Sequence, residues 1–202
     1  MQSRRNETRW RNINLDQARP IVHELFLSLE EFAIGCTKKM KIATKVYGDG
    51  DGEHPVAVLE RTEEQIVSVE VPAGAKDGTR LVVPFAGNKT PGIIPGDVIF
   101  VIREREHAVF SRDDENNLIY KARISLQEAL TGCDILIQLP CGEILNLGTT
   151  DVISHGTCKQ IPGKGMPRGG GNRGDLFVLF SVIFPVNLTE EQKCLIRSIL
   201  SD

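Results

Sequence analysis

The chain contains one structural unit twice. Leu27-Ser-Leu-Glu-Glu-Phe-Ala-Ile-Gly-Cys36 returns as Ile124-Ser-Leu-Gln-Glu-Ala-Leu-Thr-Gly-Cys133, with Ser, Leu, Glu, Gly and Cys in register at an offset of 97. Farther on, Gly78-Thr79, Pro84, Gly87 and Gly96-Asp97 return as Gly156-Thr157, Pro162, Gly165 and Gly174-Asp175, each at an offset of 78. The change of offset gives the first copy 19 extra residues between Cys36 and Gly78. A duplicated unit of this length must close two cores, so the chain is read as two related domains. Their boundary falls at His107–Asn117, where Arg112-Asp-Asp-Glu-Asn-Asn117 is a polar run with turn chemistry.

Each copy reads mostly as strand. Lys39, Lys41, Ala43 and Lys45 alternate with Met40, Ile42, Thr44 and Val46, and Val67, Val69 and Val71 alternate with Ser68 and Glu70. Val98–Ile102 and Leu176–Phe184 are nearly continuous apolar runs, as strands covered on both faces would be. The repeated Ser-Leu-x-Glu segment predicts one or two helical turns ended by Gly35 or Gly132. The expected class is all-β: two tandem related β-sandwich or barrel domains, each with one short helix, plus a C-terminal helix. Residues 1–20 are expected to be a disordered segment, 21–106 the first domain, 107–186 the second and 187–202 the helix.

Charge and cysteine usage narrow the function. Net charge is −3, so no whole-protein field draws the chain to nucleic acid or a membrane. Basic residues do gather at the start, where Arg4, Arg5, Arg9, Arg11 and Arg19 face only Glu7 and Asp16. No run of 18 apolar residues exists, and the start lacks the apolar stretch of a secretory signal. The five cysteines, at 36, 133, 141, 158 and 194, include no C-x-x-C pair. No closed zinc site is expected from them, and a reduced cytosolic or nuclear compartment is the natural reading. No cofactor is expected.

Several segments, in order, resemble the C-terminal region of DnaJ-type (heat-shock 40 kDa) co-chaperones. They are Leu29-Glu-Glu-Phe-Ala-Ile-Gly-Cys-Thr-Lys-Lys-Met-Lys-Ile42, Val71-Pro-Ala-Gly-Ala-Lys-Asp-Gly-Thr79, His107-Ala-Val-Phe-Ser-Arg112, Pro162-Gly-Lys-Gly-Met-Pro167 and Arg173-Gly-Asp-Leu176. The resemblance runs from about Val22 to Leu200 and is to the class without a zinc insert. It implies two β-domains and a C-terminal helix that pairs two chains into a homodimer. It also implies a groove for unfolded polypeptide in the first domain, and recognition there of the acidic C-terminal tail of a DnaK-type (heat-shock 70 kDa) partner. Two departures stand out. The His-Pro-Asp motif of a J-domain is absent, since the only His-Pro is His54-Pro55, followed by Val56, and the Gly/Phe-rich linker is missing. The expectation is a fragment or a J-less relative that holds clients and is not an enzyme, with a structural scaffold for one fixed protein partner as the alternative.

Carried over by position, the tail-binding residues are Lys38, Lys39 and Lys41. Alternation sets Lys39 and Lys41 on one face, with Lys38 at the strand's entrance. On the residues alone, these lysines equally describe a solvated edge strand guarded against aggregation. Glu64 stands where the family carries a basic residue. The groove residues are Leu25, Met40, Ile42 and Phe100, which on their own merits are equally core, with His23 making one end more polar. Cys36 and Cys133, equivalent across the copies, are expected to be core.

Three tempting motifs fail. Gly163–Gly174 lacks phosphate-loop spacing. Asp49-Gly-Asp-Gly-Glu53 has His54 where a calcium loop needs glycine. Arg173-Gly-Asp175 resembles an adhesion tripeptide, but its Gly-Asp recurs at 96–97 as the entry to the equivalent strand. His23, His54, His107 and His155 show no ligand or catalytic spacing. At the C-terminus, Thr189-x-x-Gln192 is a capping box, and Leu195, Ile196 and Ile199 share one helical face. That face either pairs with a second copy or folds back on its own domain.

Overall fold

A computed structural model describes residues 17–48, 59–169 and 171–200. Most of the N-terminal segment, and the 49–58 stretch holding the rejected calcium-like loop, lie outside the described residues. The first copy runs β1 (Ile21–Leu27), α1 (Leu29–Ile34), β2 (Cys36–Gly48), β3 (Leu59–Val71), β4 (Arg80–Val83) and β5 (Val98–Glu104). A short β6 (Phe110–Arg112) precedes the second copy. That copy runs β7 (Leu118–Ser125), α2 (Leu126–Thr131), β8 (Cys133–Gln138), β9 (Ile144–Thr149), β10 (Cys158–Ile161) and β11 (Leu176–Ile183). A final helix, α3, spans Glu190–Leu200.

The duplication is visible in strand order. The first copy forms a sheet β1-β5-β4 and a hairpin β2-β3; the second forms β10-β11-β7-β6 and a hairpin β8-β9. With β7 for β1, β11 for β5 and β10 for β4, the order is the same. The sheets are open and do not close into barrels. The extra residues of the first copy lengthen its hairpin, whose arms have 13 residues each against six in the second.

Helices of six residues are too short to persist alone, so their ends must be tied. Ser28 and Ser125 each accept a bond from the backbone N–H three residues on, and Glu31 and Glu128 reach back to close the box. Glycine is needed at the far end, where Gly35 and Gly132 take φ of 81° and 95°. A Cβ on Gly132 would also sit 2.6 Å from the Thr149 carbonyl oxygen.

By compactness the chain forms two units. One holds residues up to Phe26, Thr37–Val71 and Lys76–Arg103; the other holds Leu27–Cys36, Pro72–Ala75 and everything from Glu104 on. Compactness thus assigns α1 and the turn after β3 to the second unit, although the repeat places both in the first copy. The first unit is centred on Leu25, Ile42, Val69, Val71, Val98, Phe100 and Ile102. In the second, parallel β7 and β11 alternate inward, with Leu118, Ala122 and Ile124 beside Leu176, Val178, Phe180 and Val182.

A polar cluster inside the second unit explains where α1 belongs. The Arg112 side chain, only 5% exposed, donates to Glu104 Oε2 (3.1 Å), the Ala75 carbonyl (2.8 Å) and Asn116 Oδ1 (2.7 Å). Its guanidinium lies 5.4 Å from the centre of the Phe32 ring on α1. Asn116 passes the contact on by donating to the Pro167 carbonyl at 2.9 Å. The polar run read as a boundary turn does turn, with Asn116 at φ 66°, yet Asn116 and Asn117 are buried. Burial is tolerated because both amides are bonded: Asn117 accepts from the Asp175 N–H and from Arg168, and donates to Asp113.

Arg112→Ala would leave Glu104, Asn116 and the Ala75 carbonyl without their shared donor. A loss of about 3–5 kcal/mol is expected, as for breaking a buried pair by removing one partner. Urea unfolding followed by circular dichroism measures it, and a change under about 1 kcal/mol would show that the cluster contributes little to stability.

Candidate functional site

Strand β2 carries the lysines expected at the site. Burial alternates without a break from Lys38 to Thr44, so Lys39, Lys41 and Lys45 face solvent while Ile42 and Thr44 face inward. Lys38 is not at the strand's entrance, because β2 already begins at Cys36. By parity Lys38 shares the half-buried side with Met40.

The lysine face is not a bare positive patch. Lys41 lies 2.5 Å from Glu64 and Lys45 2.5 Å from Glu60, both glutamates on β3, while Glu63, of the other parity on that strand, pairs with Lys89 at 3.0 Å. The hydrogen bond and charge of Glu60 hold the Lys45 ammonium above its ordinary range. Among the described residues Lys39 makes no ion pair. All three pairs are about half exposed, where such pairs add little to stability and give way readily to a competing anion.

The four apolar residues do not form an open groove. Phe100 is 0% exposed, and Leu25 and Ile42 are also buried; only Met40 keeps part of its surface. The core alternative therefore describes three of the four in this conformation. The His23 ring stacks on Phe100 at 5.8 Å between centroids, and its buried Nε2 has no hydrogen-bond partner. Exposed apolar surface lies instead on the opposite face of sheet β1-β5-β4, at Val22, Phe26 and Val82 beside half-buried Ile99 and Val101. The Glu24–Arg103 pair at 3.2 Å ties β1 to β5 on that face. Sequence reasoning passed over this surface, although β1 is apolar on both parities (Val22 and Phe26 as well as Leu25 and Leu27).

Helix α3 keeps its predicted cap: the Thr189 N–H donates to Gln192 Oε1 and the Gln192 N–H to Thr189 Oγ1. None of its residues is buried, and Leu195 and Ile199 are 62% and 76% exposed. Ile196 lines a cavity of about 490 Å³ with Leu126, Leu130, Ile183 and Phe184. Within the second unit, folding back covers little of the apolar face.

Remaining motifs resolve structurally. Cys36 and Cys133 are half-buried and not core. Both follow the glycine that ends a capped helix, and as first residues of β2 and β8 they stand at a sheet margin. Burial, with the charges of Glu128 and Asp134, pushes the Cys133 thiol up. Burial also opposes ionisation of Cys141, but bonds from Arg173 and the Glu143 backbone outweigh it and draw that thiol down. The Gly163–Gly174 loop closes on itself through the Gly165 N–H to Gly174 carbonyl bond of 2.7 Å. In both copies the Gly-Asp aspartate accepts from an equivalent backbone N–H, Asp97 from Phe85 and Asp175 from Gly163. Among the described residues no group of three or more His, Cys, Asp or Glu could hold a metal ion, and no helix is long and apolar enough to cross a membrane.

Residues 21–185 match the family described as the DnaJ C terminal domain. The chain is 40% identical over 180 residues to DnaJ homolog subfamily B member 5 of Homo sapiens, covering 88% of this chain and 50% of that protein. DnaJ homolog subfamily B member 13 of Homo sapiens is 35% identical over 182 residues, covering 89% and 55%. DnaJ protein homolog 1 of Drosophila melanogaster is 36% identical over 172 residues, covering 84% and 49%. The chain spans about half the length of these relatives.

Phe100→Ser should cost about 3–5 kcal/mol, as for removing a buried aromatic, whereas half-exposed Met40→Ser should cost under about 1 kcal/mol. Thermal melts of the two variants test this. Equal small losses would mean that Phe100 is accessible after all.

Proposed function

The chain belongs to the DnaJ C-terminal domain family, and from that membership we propose that it holds non-native polypeptide and docks to a DnaK-type chaperone. The observation that carries the docking half is the lysine-bearing edge of β2. Acidic peptide can add there as a further strand, its backbone pairing with β2 while its carboxylates meet lysines. Lys39 is ready for such a partner. Lys41 becomes available once the incoming carboxylate displaces Glu64, an exchange between two exposed ions that costs little. Lys38, on the other side of the strand, adds to the local positive potential.

Client holding rests on the first domain, residues 21–106. Met40, half-buried, supplies an adaptable thioether, while Leu25, Ile42 and Phe100 are buried, and flexible side chains of this kind suit varied apolar segments. A client reaches the buried three only if the packing around them opens. The second domain, residues 107–186, is read as a spacer that positions the terminal helix, 187–202. The uncovered Leu195 and Ile199, with Ile196, support pairing of two chains around a twofold axis. Two linked client sites then hold more tightly than one through avidity. A cytosolic setting accords with five cysteines of which none is in a disulfide.

Calorimetric titration with an acidic peptide tests the docking. Lys39→Ala/Lys41→Ala should weaken binding several-fold, and added salt should do the same as screening sets in beyond about 8 Å. Glu64→Gln should strengthen it roughly two- to five-fold, the worth of one exposed pair. Unchanged affinity in the lysine variant would remove these residues from the site.

Truncation after Val186 is expected to give a folded monomer with weaker suppression of client aggregation, while the full chain sediments as a dimer. Analytical ultracentrifugation at micromolar concentration decides this, and a monomeric full chain would end the pairing claim.

A further inference from the structure

The edge of β2 is open for only part of its length. The Lys45 N–H donates to Asn88 Oδ1 at 2.9 Å, the Lys45 carbonyl accepts from the Lys89 N–H at 2.9 Å, and the Tyr47 N–H donates to the Lys89 carbonyl at 2.9 Å. Residues of odd number therefore direct their backbone groups to this edge, away from β3. By the same alternation Lys39, Lys41 and Ala43 do so too, and among the described residues no backbone bond reaches them there. The strand is thus capped from Lys45 onward and free from Lys39 to Ala43.

The cap is firmly mounted. Lys89 Nζ bonds Glu63 on β3 at 3.0 Å, so the segment is tied to the hairpin by its side chain as well. The Gly87 N–H donates to the Gly96 carbonyl at 2.7 Å, in a turn so tight that a Cβ on Gly87 would lie 2.7 Å from that oxygen. The second copy serves as an internal comparison. It keeps the turn, with Gly165 N–H to Gly174 carbonyl also at 2.7 Å, but carries Met166 and Pro167 in place of Asn88 and Lys89. Proline has no N–H to give an edge, and the Met166 N–H goes to the Asn116 carbonyl. The shared turn does not require an edge cap; the residues at these two positions supply it in the first copy.

We infer that Asn88 and Lys89 form a strand stop, which limits an acidic peptide on this edge to a short extended segment opposite Lys39–Ala43 and fixes its register against the lysines. The inference rests on the docking reading above. Five residues of strand span roughly 16 Å, enough for an acidic segment of about four or five residues. The nearest side chains are the lysines of β2, because Glu60, Glu63 and Glu64 stand one strand farther away on β3. Without a stop, a flat edge accepts a longer strand in several registers.

Amide hydrogen exchange of the full chain tests the stop itself. The N–H groups of Lys45 and Tyr47 should exchange slowly, and those of Lys39, Lys41 and Ala43 fast until an acidic peptide of about five residues protects them. Lengthening the peptide to about ten residues should change affinity for the unaltered chain less than about two-fold. In Asn88→Met/Lys89→Pro, which takes the second copy's residues, the longer peptide should gain about ten-fold, with Asn88→Ala as a milder variant for the case of poor folding. Fast exchange at Lys45 and Tyr47, or a ten-fold gain with length in the unaltered chain, overturns the stop. Absence of any binding while Lys45 and Tyr47 stay protected overturns the docking reading and the length limit built on it, and this outcome is distinct from the first two.

Discussion

One buried guanidinium organises the second unit. Arg112 stands where helix α1, the turn after β3, the end of β5 and the loop before β7 meet, and none of these is long enough to hold its own place. A planar group with five donors in a fixed fork can bind a carboxylate, a backbone carbonyl and an amide oxygen at once while lying over an aromatic ring. Lysine could satisfy one or two of these directions but not the fan of them. The surroundings are built to match: Glu104 supplies the counter-charge, Asn116 takes a left-handed turn to present its oxygen, and Phe32 lends its ring. Gly74 lies so near the Pro167 carbonyl, 2.3 Å from where a Cβ would be, that only glycine fits beside it.

The two copies show how one scaffold carries different surfaces. Strand order, capping boxes, the glycine turn and the Gly-Asp aspartate are common to both because each solves a local bonding problem that recurs with the fold. What differs is what projects from it. The first copy has hairpin arms twice as long, a lysine strand faced by a glutamate strand, and an edge capped by Asn88 and Lys89. The second has short arms, and its corresponding turn, through Met166 and Pro167, bonds to Asn116.

Charge at the site is a matter of placement more than of excess. Counted along the chain, Lys38-Lys39-Met40-Lys41 suggests a strongly basic patch. In space, the glutamates of β3 neutralise Lys41 and Lys45, while Lys39 makes no ion pair among the described residues. Weak exposed pairs of this kind add little to stability; under the proposed docking, a partner would have to offer carboxylates in the right register to replace the internal ones.

Much was legible in the residues themselves. The duplication, the all-β class, the glycine-ended helical turns and the Thr189 cap all follow from near-neighbour chemistry, where period, capping pairs and glycine positions act within a few residues. The alternation of β2 was readable for the same reason. Only the tertiary structure decided that Phe100, Ile42 and Leu25 are covered while Val22 and Phe26 are not, that α1 belongs with Arg112, and that Glu64 meets Lys41. Apolar strand residues look alike in sequence whichever face is later covered, and a salt bridge across a hairpin depends on register. Burial and pairing are relations between segments far apart in the chain, and local propensity carries no record of which segment will arrive.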